Sequence, residues 1–319
     1  MFLQSLPVDV LYNNSKLAFL SNILGKKHTH HSWLIYGNQG IGKATLVYKL
    51  IAQLLNNNFT DNNSYHPDLL IIDRASDKKD ISIDAIRKIN SFLSLTPLQS
   101  KFRIVLVDNC NYLNTSAANA LLKILEEPPK NSLIFLISHI IGQLPSTIIS
   151  RCVKIYMCNL KYNNSLQVLI SLLPNIDEDS AKKLLTLSCG SIGLALALYH
   201  NNAIDNYQDF ILLLNNINNL FVKQIWKWLD NIQDWKYCTI LIHHFLAKLL
   251  KVASNINNLY YVSDDEQKLI NFLCSKCEIN MLIDLYDSIQ YLLNECHIAN
   301  LDQKQVVLTI FNNFRKIAL

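Results

Sequence analysis

The chain has 319 residues, half of them hydrophobic and 17% charged, which excludes a disordered chain and sets a first expectation of about two domains. The net charge of +4 permits contact with nucleic acid without demanding it. No apolar run reaches the ~18 residues of a membrane helix, because the longest, residues 133–141, is broken by Ser138 and His139. The first residues lack a basic stretch followed by a long apolar core, so no secretory signal is read and a cytoplasmic protein is expected. Eight scattered cysteines then read as reduced core thiols rather than a disulfide framework. Asparagine occurs 36 times, often in runs, and shares A/T-rich codons with Lys, Ile, Tyr and Phe, so its runs are given no functional weight.

The first half alternates short apolar runs with helical patterns. Residues 33–36 form a buried run ending at Gly37, and Leu46, Val47, Leu50, Ile51, Leu54 and Leu55 follow at helical spacing. Residues 69–72 give a second run, and Ile83, Ile86, Ile89 and Phe92 continue with a period near 3.5 after a capping candidate, Ser82. Residues 103–108 give a third strand. The helix carrying Ala118, Leu121, Leu122 and Leu125 must stop before Pro128 and Pro129. Residues 133–137 and 153–157 are strands four and five. Five such runs separated by helices indicate a parallel sheet covered on both faces. Residues 165–200 hold two or three short helices broken at Gly190-Ser191-Ile192-Gly193, and residues 206–319 read as amphipathic helices throughout. The stretch 56–64, rich in Asn, Asp and Ser, is expected to be a surface loop.

Gly37-Asn38-Gln39-Gly40-Ile41-Gly42-Lys43-Ala44 follows a strand and opens a helix, the context a phosphate-binding loop requires. Gly37, Gly40 and Gly42 let the backbone wrap phosphates, the helix N-terminus favours anions, and Lys43 would reach the outer phosphates. The hydroxyl that binds Mg²⁺ is absent, since Ala44 stands where Ser or Thr is normal. Thr45 is turned ~100° away along the helix. Asp108 ends the third strand as a Walker B carboxylate does, but the next residue is Asn109, whose amide cannot act as a general base.

Asn119-Ala120-Leu121-Leu122-Lys123-Ile124-Leu125-Glu126-Glu127-Pro128-Pro129 begins eleven residues after Asp108. Together with Ser150-Arg151-Cys152 and its approach Leu144-Pro145, it resembles the bacterial clamp-loader AAA+ subunits of DNA polymerase III. His66-Pro67-Asp68, Ile81-Ser82-Ile83-Asp84-Ala85-Ile86-Arg87 and His31-Ser32-Trp33 are similar as well. The likeness covers about residues 20–160. It implies an α/β plus all-α protein: a RecA-like AAA+ P-loop core with a parallel five-stranded sheet (residues 1–158), a small helical lid (159–205) and a helical collar domain for oligomerisation (206–319).

The departures resemble the non-hydrolysing delta-prime branch of that family. The ATPase members keep the P-loop Thr, the Walker B Glu and an arginine shortly after a Gly-Ser pair; in this chain those positions hold Ala44, Asn109 and Gly193. The resemblance implies a subunit that is not catalytic alone but belongs to a polymerase holoenzyme. Its partners are then the gamma/tau and delta subunits and, through the complex, the sliding clamp and primer-template DNA. It further implies that Arg151 serves a neighbouring ATP site as a trans arginine finger, while Gly37, Gly40, Gly42, Lys43 and Asp108 are vestigial and permit weak ATP or ADP binding. Among the basic residues Lys26, Lys27, Lys78, Lys79, Arg87, Lys88 and Lys101, Arg87 and Lys88 lie on the helix after strand two and are the candidates for contact with the DNA backbone.

No cysteine occurs before Cys110, so the four-cysteine zinc module that many members carry is not expected, and no cofactor is required. Cys274-Ser275-Lys276-Cys277 with Cys296 and His297 has zinc-like spacing but suits core packing equally. His28, His30 and His31 read as a polar lead-in to strand one, and Trp226, Trp228 and Trp235 as core or interface residues. Two other readings remain at this stage: an active gamma/tau-type ATPase, which Ala44, Asn109 and Gly193 oppose, and a P-loop small-molecule kinase, which leaves the two clamp-loader motifs unexplained.

Overall fold

The computed structural model describes residues 30–55, 66–74, 80–232, 234–256, 259–299 and 301–318. The expected loop at 56–64, together with Lys26, Lys27, His28, Lys78 and Lys79, lies outside them. The chain divides into two compact units: Met1–Val168 with Ser191–Gly193, and Leu169–Gly190 with Leu194–Leu319.

The first unit alternates strands and helices: β1 (Ser32–Tyr36), α1 (Lys43–Leu54), β2 (Leu69–Ile72), α2 (Ile83–Leu93), β3 (Arg103–Val107), α3 (Thr115–Glu126), β4 (Ser132–Ser138), α4 (Ser146–Ser150) and β5 (Val153–Tyr156). The five strands form one sheet in the order β2-β3-β4-β1-β5, and every pairing is parallel. This is the parallel five-stranded sheet that the apolar runs indicate. Residues 104–107 and 133–137 are buried along their whole length, because helices cover both faces and leave no side of a central strand to water. Asn114 caps α3 by accepting the Ala117 N–H at 2.8 Å, and α3 stops at Glu126, two residues before the prolines. Ser82 is the N-cap residue of α2 but its side chain makes no capping bond.

His66-Pro67-Asp68 has a structural task that its sequence does not announce. The buried Asp68 carboxylate accepts the backbone N–H groups of Leu98, Gln99 and Ser100 at 2.7–2.9 Å, and also the Ser100 hydroxyl. Burial opposes ionisation, but these donors outweigh it and hold the carboxyl below its usual range. Arg103 completes the clamp by donating to Thr96 O and lying over the Phe92 ring.

The second unit is helical. It takes the end of α5 (Tyr162–Leu172), then α6 (Glu178–Leu187), most of α7 (Ile192–His200), α8 (Ala203–Asn215), α9 (Val222–Asn231), α10 (Trp235–Ala253), α11 (Asp264–Lys276), α12 (Ile279–Ile298) and α13 (Gln303–Ala318). Its centre is aromatic: Phe210 stacks on Trp228 at 5.3 Å and meets Phe245 and Phe311 edge-on at 5.8 Å each. Trp235 is buried too, whereas Trp226 is exposed beneath Lys304. Among the described residues no single helix is long and apolar enough to cross a membrane.

One buried polar network ties three of these helices. Glu266 Oε1 receives Lys248 Nζ at 2.6 Å and the Tyr207 hydroxyl at 2.5 Å, while Oε2 accepts the Val262 N–H at 2.7 Å. Burial lowers the Lys248 pKa and raises that of Tyr207, so only mutual satisfaction keeps the charges in place. Removing the carboxylate with Glu266→Ala is expected to destabilise the helical unit by about 3–5 kcal/mol, because it strands a buried ammonium. The double variant Lys248→Met/Glu266→Leu should lose less. Urea unfolding followed by tryptophan fluorescence distinguishes the two; equal losses would argue against a charge-based penalty.

Candidate nucleotide-type site and an exposed arginine

Parallel strands bring their C-terminal ends to one edge of the sheet, where loops gather functional groups. The residues that follow the five strands are Gly37, Asp73, Asp108, His139 and Met157. Gly37 adopts φ +148°, and a Cβ there would meet Met157 O at 2.1 Å, so the loop passes too close to the end of β5 for any side chain. Gly40 and Gly42 also take positive φ, 76° and 85°, which bends the chain back into the start of α1. No side chain caps that helix start.

Lys43 is buried and its Nζ donates to Gly37 O at 2.7 Å and Asn38 O at 2.6 Å, two carbonyls of its own loop. Burial pushes its pKa down to about 8, with the negative charge of Asp108 opposing the shift. Asp108 is pushed up to about 6 by burial and by the neighbouring Asp73 carboxylate, against the Asn109 N–H bond and the Lys43 charge. Tyr48 is raised to about 12, chiefly by burial and then by Asp108 and Asp73. Ala44 is half-buried and offers no oxygen.

Asn109 sits in the left-handed region at φ 55°. Its Nδ2 donates to Asp73 Oδ1 at 3.0 Å, and its Oδ1 lies 2.5 Å from His139 Nε2. An amide oxygen has no proton to give, so that ring nitrogen carries the hydrogen. The His139 backbone N–H donates to Asn111 Oδ1 at 3.3 Å. Residues 191–193, part of the same compact unit, reach the loop as well: Ser191 Oγ donates to Gln39 O at 2.9 Å and the Gly193 N–H to Gly40 O at 2.8 Å. The loop has the three positive-φ glycines of the sequence motif, while Ala44 offers no hydroxyl and Asn109 no carboxylate.

Gly37, Gly40, Gly42, Lys43 and Asp108 therefore come together as their spacing requires. Asp73, Tyr48, His139 and Ser191 join them without having been singled out. Two of those four, Asp73 and His139, carry a readable signal: each is the residue immediately after an apolar strand.

Arg151 lies apart from this site, directly after α4. Its Nη1 donates to Thr147 O at 3.0 Å, its Nη2 pairs with Glu126 Oε1 at 2.5 Å, and its side chain is 36% exposed. The flanking Cys152 is buried. Arg87 and Lys88 are exposed on α2, where Arg87 pairs with Asp84 at 3.1 Å. The late thiols point to three separate carbonyls: Cys274 to Leu249, Cys277 to Ile317 and Cys296 to Leu301. The side chain of His297 lies outside the described residues, and among those described no three His, Cys, Asp or Glu residues gather as metal ligands.

The raised pKa of Asp108 has a sign that can be tested. Between about pH 4 and pH 6 the folded state binds the proton that the unfolded state has already lost, so stability falls as pH rises through this window and stays low above it. Asp108→Asn is expected to abolish that slope and to stabilise the α/β unit at pH 7 by on the order of 2 kcal/mol. Thermal unfolding of both proteins at pH 4.5 and pH 7, within the range where each refolds, measures it; an unchanged pH slope in the variant would show that Asp108 is not its source.

Residues 12–161 match the family described as "DNA polymerase III, delta subunit". The chain is 33% identical to DNA polymerase III subunit gamma of Buchnera aphidicola subsp. Acyrthosiphon pisum, over 60% of this chain and 56% of that protein. It is 34% identical to subunit delta' of Pseudomonas aeruginosa, over 54% of this chain and 57% of that protein. A longer alignment, 79% of this chain at 27% identity, reaches subunit tau/gamma of Haemophilus influenzae and 43% of its length. The chain thus spans about half the length of the relatives it matches. Over residues 12–161, just under half of the chain, the sequence with its motifs and parallel core is thus similar to the clamp-loader subunits of DNA polymerase III.

Proposed function

We propose that the chain is a non-hydrolysing, delta-prime-type clamp-loader subunit, one that stabilises the loader and supplies Arg151 in trans to the ATP site of a neighbouring subunit. The observation that carries this reading is a contrast between two places in one unit. At the loop, Lys43 is turned onto its own carbonyls, Ala44 lacks the hydroxyl and the Asn109 amide is spent between Asp73 and His139. At the exposed edge, Arg151 keeps a charged guanidinium in reach of another molecule. A guanidinium stays charged at any physiological pH and its planar fork suits phosphate oxygens. Supplied in trans, such a group contributes ~10³-fold or more to phosphoryl transfer.

The partners that follow are gamma/tau and delta subunits in a hetero-oligomeric ring, in which residues 206–319 act as a collar and 159–205 as a lid. The complex loads the sliding clamp onto primer-template DNA in the cytoplasm, with Arg87 and Lys88 facing the DNA backbone. The chain needs no bound nucleotide and no zinc, although Lys43 and the three glycines leave room for weak ATP or ADP binding. A second reading, an active gamma-type ATPase, has one observation in its favour: Lys43 and Asp108 keep their places beside the loop.

A steady-state assay on the purified chain separates the two. No ATP turnover above background is expected, and the same preparation should hold well under one zinc per chain by elemental analysis. Turnover that Lys43→Ala abolishes would establish the ATPase reading instead. The role of Arg151 is tested by Arg151→Ala in a loader reconstituted with its ATPase partners. Assembly is expected to be normal while clamp- and DNA-stimulated hydrolysis falls by about 10³-fold at the site that Arg151 serves. Failed assembly would mark Arg151 as structural, and unchanged hydrolysis would remove it from the reaction.

A further inference from the structure

Glu126 is the last residue of α3, and Arg151 the first after α4. The backbone around both is fixed. Leu125, Ile148 and Cys152 all belong to the buried core of the α/β unit, and Pro128 and Pro129 forbid α3 from running on. What is left free is the long arginine side chain, and Glu126 Oε1 and Thr147 O each take one of its five N–H groups. Three N–H groups remain for an incoming anion. The carboxylate stands at the C-terminal end of a helix, the end whose dipole disfavours negative charge, so it is badly placed for the helix alone. An exposed ion pair also adds little to folding stability. Neither helix stability nor folding accounts for an acid at this position, whereas the orientation of Arg151 does.

We propose that Glu126 is the positioning residue for Arg151: its carboxylate holds the guanidinium in one orientation at the exposed edge, so that the remaining N–H groups meet a neighbour's nucleotide phosphate without first having to be ordered. This rests on the trans role of Arg151 proposed above. An ordered side chain loses less conformational freedom on engagement, and the gain appears in the chemical step rather than in nucleotide binding.

The test uses the reconstituted loader, with Arg151→Ala as the reference. Glu126→Ala is expected to lower kcat for clamp- and DNA-stimulated ATP hydrolysis by about three- to tenfold, to leave KM for ATP and assembly unchanged, and to be largely rescued by Glu126→Gln, which keeps the acceptor oxygen. In the isolated chain, phenylglyoxal modification of Arg151, mapped by mass spectrometry, should run at least about twofold faster in Glu126→Ala than in the parent. If Arg151→Ala lowers kcat while Glu126→Ala leaves it unchanged or raises it, the positioning role is overturned and the trans role of Arg151 stands. If Arg151→Ala has no effect, the trans role fails and the positioning role fails with it. An unaltered modification rate shows that Glu126 does not hold the guanidinium and overturns the proposal on the chain alone.

Discussion

The parallel alignment of the five strands is the constraint on which the first unit depends. Because every strand runs the same way, the chain leaves the sheet five times at one edge, and Gly37, Asp73, Asp108, His139 and Met157 are delivered there by register rather than by any attraction for one another. The consequences are electrostatic. Asp108 and Lys43 are withdrawn from water beside the exposed Asp73 carboxylate, so Asp108 is pushed up and Lys43 down even though they partly offset each other. The same convergence brings β5 so close to the loop that residue 37 has to be glycine. The helical unit has no such frame. Its geometry is set by ring packing around Phe210 and by one saturated carboxylate, Glu266, whose two oxygens answer three donors from separate parts of the fold.

The α/β unit was legible because its physics is local. Runs such as residues 133–137 are apolar throughout since both faces are covered, and Pro128 and Pro129 mark the end of α3 by their own chemistry. The phosphate loop was legible for a similar reason, as its glycines are required by backbone angles that few other residues tolerate. Asp68 was not legible, although its motif was noticed. Its partners are backbone N–H groups some 30 residues away, and a backbone donor leaves no mark in a sequence. Glu126 was hidden in another way. It lay inside a motif read as a signature, and its contact with Arg151 exists only once α3 and α4 pack together. Periodicity in residues 206–319 announced helices but could not say which faces meet, since aromatic and aliphatic residues satisfy the same 3.6-residue pattern.

The donor and acceptor inventory around residue 109 explains why an amide suits that position. The side chain at 109 must give a proton to Asp73 Oδ1 and accept one from His139 Nε2. An amide does both, whereas a carboxylate only accepts. Glutamate at that position would bring a third negative charge beside Asp73 and Asp108, of which Asp108 already resists ionisation. Asn109 therefore turns a site of competing charges into a closed hydrogen-bond chain across β2, β3 and β4. Arg151 lies outside that chain of bonds and is tied to Thr147 and Glu126 among the described residues. The hydrogen-bond chain at the strand ends and the cationic edge at Arg151 are consequently set by different residues, and the order gained at the first does not restrict the second.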